Sequence, residues 1–299
     1  MAGFVQWLLS RRYRLIILAA VLAPVPVLVF VSSALMTLET LYRGPRSGVF
    51  SAVVATVVGI PLAWVWGVSP AGLALESGAV LFAGVGLGAL LRRTGSLALT
   101  FQGVGLVCAA GALLAALLWP EPGAWVIAML DRLGEVARSG GATEEQVSSL
   151  VENLGPYFTG LMVAGVYLQL MAALLLGSWW ASKTQEESQF GPQFRQLRLG
   201  RILGIPATLL MASSLLLDGP IVRNLFPLAL FAFWFQGIAV VHAWAWAKRW
   251  SAGFLVPMYV LLIMPITAAF TILLLASVGL VDNWIELRRP LAGQPQGRN

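Results

Sequence analysis

Long apolar runs separated by short polar segments dominate the chain. A membrane-spanning helix needs about 20 apolar residues, and the candidate segments are 15–41, 48–68, 73–91, 96–119, 157–181, 199–217, 221–247 and 254–280. Proline and glycine lie at their ends and sometimes inside them, which membrane helices tolerate when neighbours satisfy the freed backbone groups. The pattern predicts an all-α, polytopic transmembrane helix bundle of about eight hydrophobic segments, forming one integral membrane domain over residues 1–299.

The amino-acid composition supports this fold and limits the kinds of ligand and metal site that the chain can form. Charged residues make up 11% of the chain and mean hydropathy is +0.83, whereas a soluble domain carries roughly 25% charged residues. One cysteine and one histidine exclude a disulfide scaffold and a zinc site of the usual kind. We therefore expect no metal and no cofactor. The 19 lysines and arginines lie in short clusters between apolar runs rather than on one soluble segment, which argues against nucleic acid as a partner.

The cationic clusters predict the orientation. Arg11, Arg12 and Arg14 place the N-terminus in the cytoplasm, and the long run after them is not typical of a cleaved signal peptide. Further clusters, separated in each case by two spans, are Arg92 with Arg93, the basic residues of 183–201, and Lys248 with Arg249. The acidic segment 120–156 then lies outside. We expect a multi-pass membrane protein with a cytoplasmic N-terminus.

The first and last runs are ambiguous. If Arg43 and Arg46 are cytoplasmic, the run 15–41 enters and returns, with the break at Pro24 and Pro26. The alternative is one tilted span. The run 254–280 contains Pro257 and Pro265, but 266–280 is uninterrupted, which slightly favours a single crossing.

Two segments outside the spans have amphipathic spacing. In the extracytoplasmic loop 120–156, the pattern predicts helices over 125–137 and 144–154, the second with a capping box of Thr143 and Gln146. The pair forms a packed lid or a partner-docking surface. In the cytoplasmic segment 182–201, Phe190, Phe194 and Leu197 alternate with arginines, as in an interfacial helix; docking of a cytosolic partner is the alternative.

Four strings carry a family resemblance. They are FRQLRL at 194–199, QGIAVVH at 236–242, DNWIELRR at 282–289, and the Pro24-containing start followed by Arg43 and Gly44. Together they resemble the YybS-like family of bacterial integral membrane proteins, whose function is uncharacterised. That family looks related to the substrate-binding membrane components of energy-coupling-factor vitamin transporters. The resemblance implies no catalytic residues.

Polar residues inside the apolar runs are the candidate ligand contacts, because a charge at the bilayer centre costs about 2.5–3.5 kcal/mol on insertion scales. These residues are Glu76, Gln102, Tyr167, Gln169, Gln236 and His242. We expect Glu76, Gln236 and His242 to share one cavity reached from the outer side if the protein binds a solute. Hydrogen bonds that pack helices together are the alternative. The pair Gly84 and Gly88 predicts close helix packing.

The chain has no phosphate-binding loop, no HExxH and no plausible catalytic triad, so we expect no enzyme. Two functions remain. One is a solute-binding or transport component that contacts the bilayer, a small-molecule solute and a cytosolic or membrane partner subunit. The other is a non-transporting membrane scaffold or envelope assembly factor.

Overall fold

The computed structural model describes residues 2–25, 28–67, 69–118, 124–184, 189–217 and 219–288, which are helical without a strand. In chain order, α1 to α15 are Ala2–Ser10, Arg12–Leu22, Val29–Arg43, Pro45–Gly59, Leu62–Trp66, Pro70–Thr94, Leu97–Leu118, Ala124–Ser139, Glu144–Leu154, Phe158–Ser182, Phe190–Arg195, Gly200–Ser213, Pro220–Ala247, Val256–Ile263 and Pro265–Ile285. Within this part of the chain, five helices are long and apolar enough to cross a membrane. The predicted polytopic helix bundle is confirmed.

The first apolar run is broken, as the first of the two alternatives predicted. Helix α2 ends at Leu22, α3 begins at Val29, and the two helices pack against each other. Pro24 lies in the intervening turn, whereas Pro26 lies outside the described residues. Arg12 at the start of α2 and Arg43 at the end of α3 both reach Glu39. The run therefore returns to the end at which it started.

Three other predicted segments differ from the structure. The segment 48–68 is not one helix, because α4 ends at Gly59 and α5 begins after Pro61; proline has no N–H to continue the helical ladder. The run 254–280 breaks at Met264, whose extended backbone (φ −75°, ψ 118°) is the conformation favoured before proline. The run therefore forms two helices, α14 and α15, and the single crossing expected for it stays a prediction. The helix expected in 182–201 covers only Phe190–Arg195, and 185–188 lie outside the described residues.

The chain divides into two compact units, and the three boundaries fall within α7, α10 and α11. The first unit comprises Met1–Phe101 and Leu168–Phe194. Its centre is α3, in which every residue from Ser32 to Thr40 is buried. A side chain at Gly84 of α6 would meet the Ser33 carbonyl oxygen at 2.2 Å. This confirms the predicted close packing, since only glycine permits such an approach.

The second unit comprises Gln102–Tyr167 and Arg195–Asn299. Helices α13 and α15 are in close contact, and a side chain at Gly237 would lie 1.9 Å from the Leu275 carbonyl oxygen. Helices α12 and α14 pack on α13 and α15 respectively.

The amphipathic pair in the second unit is confirmed as α8 and α9, which pack together through Val126, Leu130 and Val151. Thr143 caps α9, and its backbone N–H donates to Gln146 at 2.9 Å, which completes the predicted capping box. The start of the predicted loop, 120–123, lies outside the described residues.

Candidate ligand-binding site

The six sequence-predicted ligand residues are divided between the two units. Glu76 on α6 is exposed and Gln169 on α10 is half-buried, and both belong to the first unit. The second unit contains the other four, which are Gln102, Tyr167, Gln236 and His242. The common cavity expected for Glu76, Gln236 and His242 therefore stays a prediction.

Gln236 joins three elements of the second unit. Its buried side chain donates from Nε2 to Asp282 Oδ2 at 2.8 Å, and its Oε1 accepts from the backbone N–H of Leu199 at 3.0 Å. These contacts link α13 to α15 and to the segment before α12. Both ends of the amide are satisfied by protein groups, so Gln236 acts as a packing residue here.

Asp282 is a fully buried carboxylate that sequence reasoning did not single out. Arg288 binds it in a two-pronged manner, with Nε 3.1 Å from Oδ1 and Nη2 2.6 Å from Oδ2. Asp282 lies within the last turn of α15, where the helix dipole disfavours a negative charge. The guanidinium compensates for that charge, and it also donates to the backbone carbonyls of Arg195 and Leu197.

The segment before α12 is fixed by further bonds. Gln102 donates to the Arg198 carbonyl oxygen at 2.9 Å, and Arg198 donates to the Asp282 carbonyl oxygen at 3.2 Å. Three of the four strings that carry the family resemblance therefore meet around Asp282. The polar groups of these three strings form one hydrogen-bonded network in the second unit.

His242 and Tyr167 have separate surroundings in this unit. His242 Nδ1 lies 2.9 Å from the Ile238 carbonyl oxygen and Nε2 lies 3.2 Å from the Tyr259 hydroxyl. This pattern suits a neutral ring that donates from Nδ1 and accepts at Nε2. Tyr167 is fully buried and packs edge-on against Phe235. Arg195 stacks over the Trp246 ring, and partial burial lowers the pKa of its guanidinium.

Glu39 forms the corresponding charged cluster of the first unit. The carboxylate is fully buried one turn before the end of α3, and Arg43 and Arg12 pair with it. Ser47 donates to Oε1 at 2.8 Å and Ser51 donates to the same atom at 3.3 Å. Two cations and two hydroxyls thus balance one buried charge, as buried carboxylates require.

The described part of the first unit contains a cleft of about 550 Å³ with several polar side chains in its lining, which we call the first-unit cleft. It lies where α3, α6 and α10 end, and the side chains that give it its polar character are Tyr42, Arg92, Ser178, Ser182, Thr184, Gln189 and Gln193. Arg92 donates to the Leu41 carbonyl oxygen at 2.9 Å, which holds the guanidinium at the cleft wall. None of the six sequence-predicted residues lines it.

A family model described as "Predicted membrane protein (DUF2232)" matches residues 123–283. The match covers more than half of the chain. The chain belongs to the DUF2232 family. Comparison with curated proteins found no match, and comparison with solved structures found none either.

The matched DUF2232 segment contains the helix pair α8–α9, the Gln236–Asp282 contact, and the α10 wall of the first-unit cleft with Ser178 and Ser182. Arg92 and Glu39 precede the segment, and Arg288 follows it. The family model therefore covers one wall of the cleft.

Signals for the two buried carboxylates exist in the sequence. Glu39 precedes Arg43 by four residues, the spacing at which helical side chains meet, and it lies inside a predicted span. Asp282 begins the string DNWIELRR, two residues after the predicted run 254–280. Applying the cost of an intramembrane charge to every acidic residue would have found Glu39, and the family-resembling string marks Asp282. No comparable signal marks the cleft, because its lining comes from distant parts of the chain.

Proposed function

We propose that this DUF2232 protein is a solute-binding component of a transport system in the bacterial cytoplasmic membrane, and that the first-unit cleft is its binding site. The observation that carries the proposal is the cleft itself. Its volume of about 550 Å³ falls within the range of 300–1,000 Å³ that is typical of small-molecule pockets. Its lining combines a guanidinium, hydroxyls and amides with apolar side chains such as Leu41 and Leu91.

The distribution of charge supports a cytoplasmic opening for the cleft. Arg12, Arg43 and Arg92 lie on helix ends at or next to the cleft end of the first unit, and the positive-inside rule assigns such an end to the cytoplasm. The N-terminus is then cytoplasmic, and α8–α9 is extracytoplasmic. A cytoplasmic site suits release of a solute into the cell or its capture for export.

The sequence resemblance supports a partner. The YybS-like strings, and the likeness of that family to energy-coupling-factor components, favour a subunit that recognises a solute and depends on another protein for energy. The chain itself has no nucleotide-binding motif. We expect an energising membrane or cytosolic subunit and no enzymatic activity.

The test is retention of a small molecule by the purified full-length protein. Native mass spectrometry from detergent should detect a co-purifying molecule on the wild type and none on Arg92→Gln or on Ser182→Trp, which fills the cleft. Arg93→Gln is the matched control, because Arg93 is also exposed near the end of α6 and does not line the cleft. Equal retention by all four proteins would contradict the proposal.

A second candidate, the scaffold, is favoured by an exposed apolar face on α8–α9. Val126 and Leu130 lie on the side of α8 that faces α9. Leu133 and Val136 lie on the following turns of α8, each one residue before the position that would face α9, and both are exposed. Leu150 on α9 likewise lies one residue before a position that faces α8. Because helices joined by a short loop run antiparallel, Leu133, Val136 and Leu150 lie on one side of the helix pair.

The scaffold function predicts a specific neighbour on this side. A photocrosslinking residue in place of Val136 should give one discrete product in cells, and the same residue in place of Glu135 on the charged side should give none. Identical patterns from the two positions would argue against recruitment through this face.

A further inference from the structure

The serine and threonine hydroxyl groups on the α10 side of the first-unit cleft can only accept hydrogen bonds from a ligand. Ser178 donates to the Leu174 carbonyl oxygen at 2.6 Å, Ser182 to that of Trp179 at 2.7 Å, and Thr184 to that of Ala181 at 2.8 Å. A hydroxyl has one proton to donate and two lone pairs. With the proton directed at the backbone of α10, each oxygen offers only lone pairs to the cleft. A ligand must supply N–H or O–H donors on this side.

The α6 side of the cleft has the opposite character. A guanidinium carries five N–H groups, and the Leu41 carbonyl oxygen accepts from one nitrogen of Arg92. No carboxylate is among the described residues that line the cleft. A negative group is therefore attracted to Arg92 on this side.

Gln193 fixes the geometry between these sides without competing for the ligand. Its Oε1 accepts from the Leu97 backbone N–H at 2.9 Å and its Nε2 donates to the Gly95 carbonyl oxygen at 3.3 Å. Both ends of the amide are occupied. The segment between α6 and α7 is thus held against α11, and the aromatic ring of Phe190 lines the space beside it.

We infer that the first-unit cleft binds a zwitterionic group, in which an anion lies against Arg92 and a primary ammonium donates to the hydroxyl oxygens of Ser178 and Ser182. An ammonium has three N–H donors and no acceptor, which matches a wall of lone pairs. The face of an aromatic ring such as Phe190 also attracts a cation. The inference rests on the proposed function and narrows it to a ligand class.

Two sources supply this chemistry. One is a soluble zwitterion such as phosphoethanolamine, and the other is the headgroup of phosphatidylethanolamine. The cleft lies at the ends of membrane helices, where headgroups and cytosolic solutes are both within reach. The choline counterparts carry the same charges but have no N–H donor, so they separate recognition by hydrogen bonding from recognition by charge alone.

The experiment measures binding to the purified full-length protein. Phosphoethanolamine and phosphocholine are titrated calorimetrically against the protein in detergent. The phosphatidylethanolamine and phosphatidylcholine forms are compared by native mass spectrometry from nanodiscs. We expect the ethanolamine form of at least one pair to bind at least tenfold more tightly than its choline form. A preference for phosphoethanolamine would identify a soluble solute as the source, and a preference seen only with phosphatidylethanolamine would identify a lipid headgroup. Either result supports the inference.

Variants test the recognition of the anionic end and of the ammonium end of the ligand separately. Arg92→Gln should weaken the ethanolamine form at least tenfold. The double variant Ser178→Ala and Ser182→Ala should reduce the preference for ethanolamine over choline while retaining weak binding of both. The matched controls are Arg93→Gln and the double variant Ser213→Ala and Ser214→Ala, whose hydroxyls also donate to their own helix but lie outside the cleft. Thermal unfolding of each variant verifies that it folds.

The outcomes distinguish the inference from the proposed function. If choline and ethanolamine forms bind equally and Arg92→Gln still weakens both, the zwitterion inference is wrong and the cleft remains a solute site. The same conclusion follows if the co-purified molecule is not a zwitterion and its binding depends on Arg92. If no molecule depends on Arg92 or Ser182, both proposals fail.

Discussion

The guanidinium of Arg12 donates a hydrogen bond to the hydroxyl of Ser47 across 2.7 Å, although 35 residues separate them in the chain. Both groups lie beside the Glu39 carboxylate. A single membrane crossing between the two residues would place them on opposite sides of the bilayer, so this contact requires the intervening chain to return. The arginines at the start of α2 and those at the end of α3 consequently lie on the same side of the membrane.

The first prediction tests which side that is. In a Cys108→Ala background, which removes the only native cysteine, Arg46→Cys should react with an impermeant maleimide only after cells are permeabilised, because positive loops stay in the cytoplasm. Ser139→Cys on α8 should react in intact cells. The reverse labelling pattern would invert the assigned orientation, and labelling of both cysteines in intact cells would contradict the cytoplasmic position of the segment after α3.

The second prediction concerns the buried carboxylate of the first unit. Glu39→Ala leaves Arg12 and Arg43 without their counter-charge, and breaking such a buried pair costs about 3 kcal/mol of unfolding free energy. Unfolding in mixed micelles, followed by circular dichroism, measures the loss. Glu76→Ala is the control, since Glu76 is exposed on α6 and its replacement should change stability little. Equal losses would show that the cluster does not stabilise the unit.

The third prediction concerns helix packing. Gly84→Ala places a methyl group 2.2 Å from the Ser33 carbonyl oxygen and should destabilise the protein by about 1–3 kcal/mol, as overpacking does. Gly86→Ala lies in the same helix with nothing within 4 Å of the added carbon. It should be neutral or slightly stabilising because alanine is the better helix former. The same unfolding assay compares them, and similar midpoints would refute the close contact.

The fourth prediction concerns the network around Asp282. Asp282→Asn removes the negative charge that Arg288 binds, so the bonds from Arg288 to the carbonyls of Arg195 and Leu197 should weaken. We expect trypsin to cleave after Arg195 or Arg198 at least several-fold faster than in the wild type. The control is Glu286→Gln, whose pair with Arg198 is half-exposed and should contribute little. Unchanged cleavage in Asp282→Asn would show that Arg288 does not hold the segment.

The features that follow local rules could be predicted from the sequence. Hydrophobic length located the spans, and helical spacing with the Thr143 cap located α8 and α9 to within two residues. The two arginine clusters and Pro24 indicated the broken first run. The breaks at Pro61 and Met264 were less accessible, because a proline is tolerated or disruptive according to its neighbours.

The candidate site could not be predicted in the same way. Ser178 and Arg92 lie far apart in the sequence, and each has an unremarkable local pattern. Their proximity depends on how three helix ends pack in the first unit. Two of the amides that the sequence did single out, Gln102 and Gln236, bind protein groups of neighbouring elements, because lipid-embedded amides find protein partners.

The contacts of Glu39 also bear on biogenesis. All of its charged and hydroxyl partners lie between Arg12 and Ser51, so the charge can be neutralised while the ribosome is still synthesising later helices. A chain that begins to fold from its N-terminus thereby inserts α2 and α3 with the Glu39 carboxylate already paired. Asp282 depends on Arg288, so its charge is paired only after α15 has been synthesised.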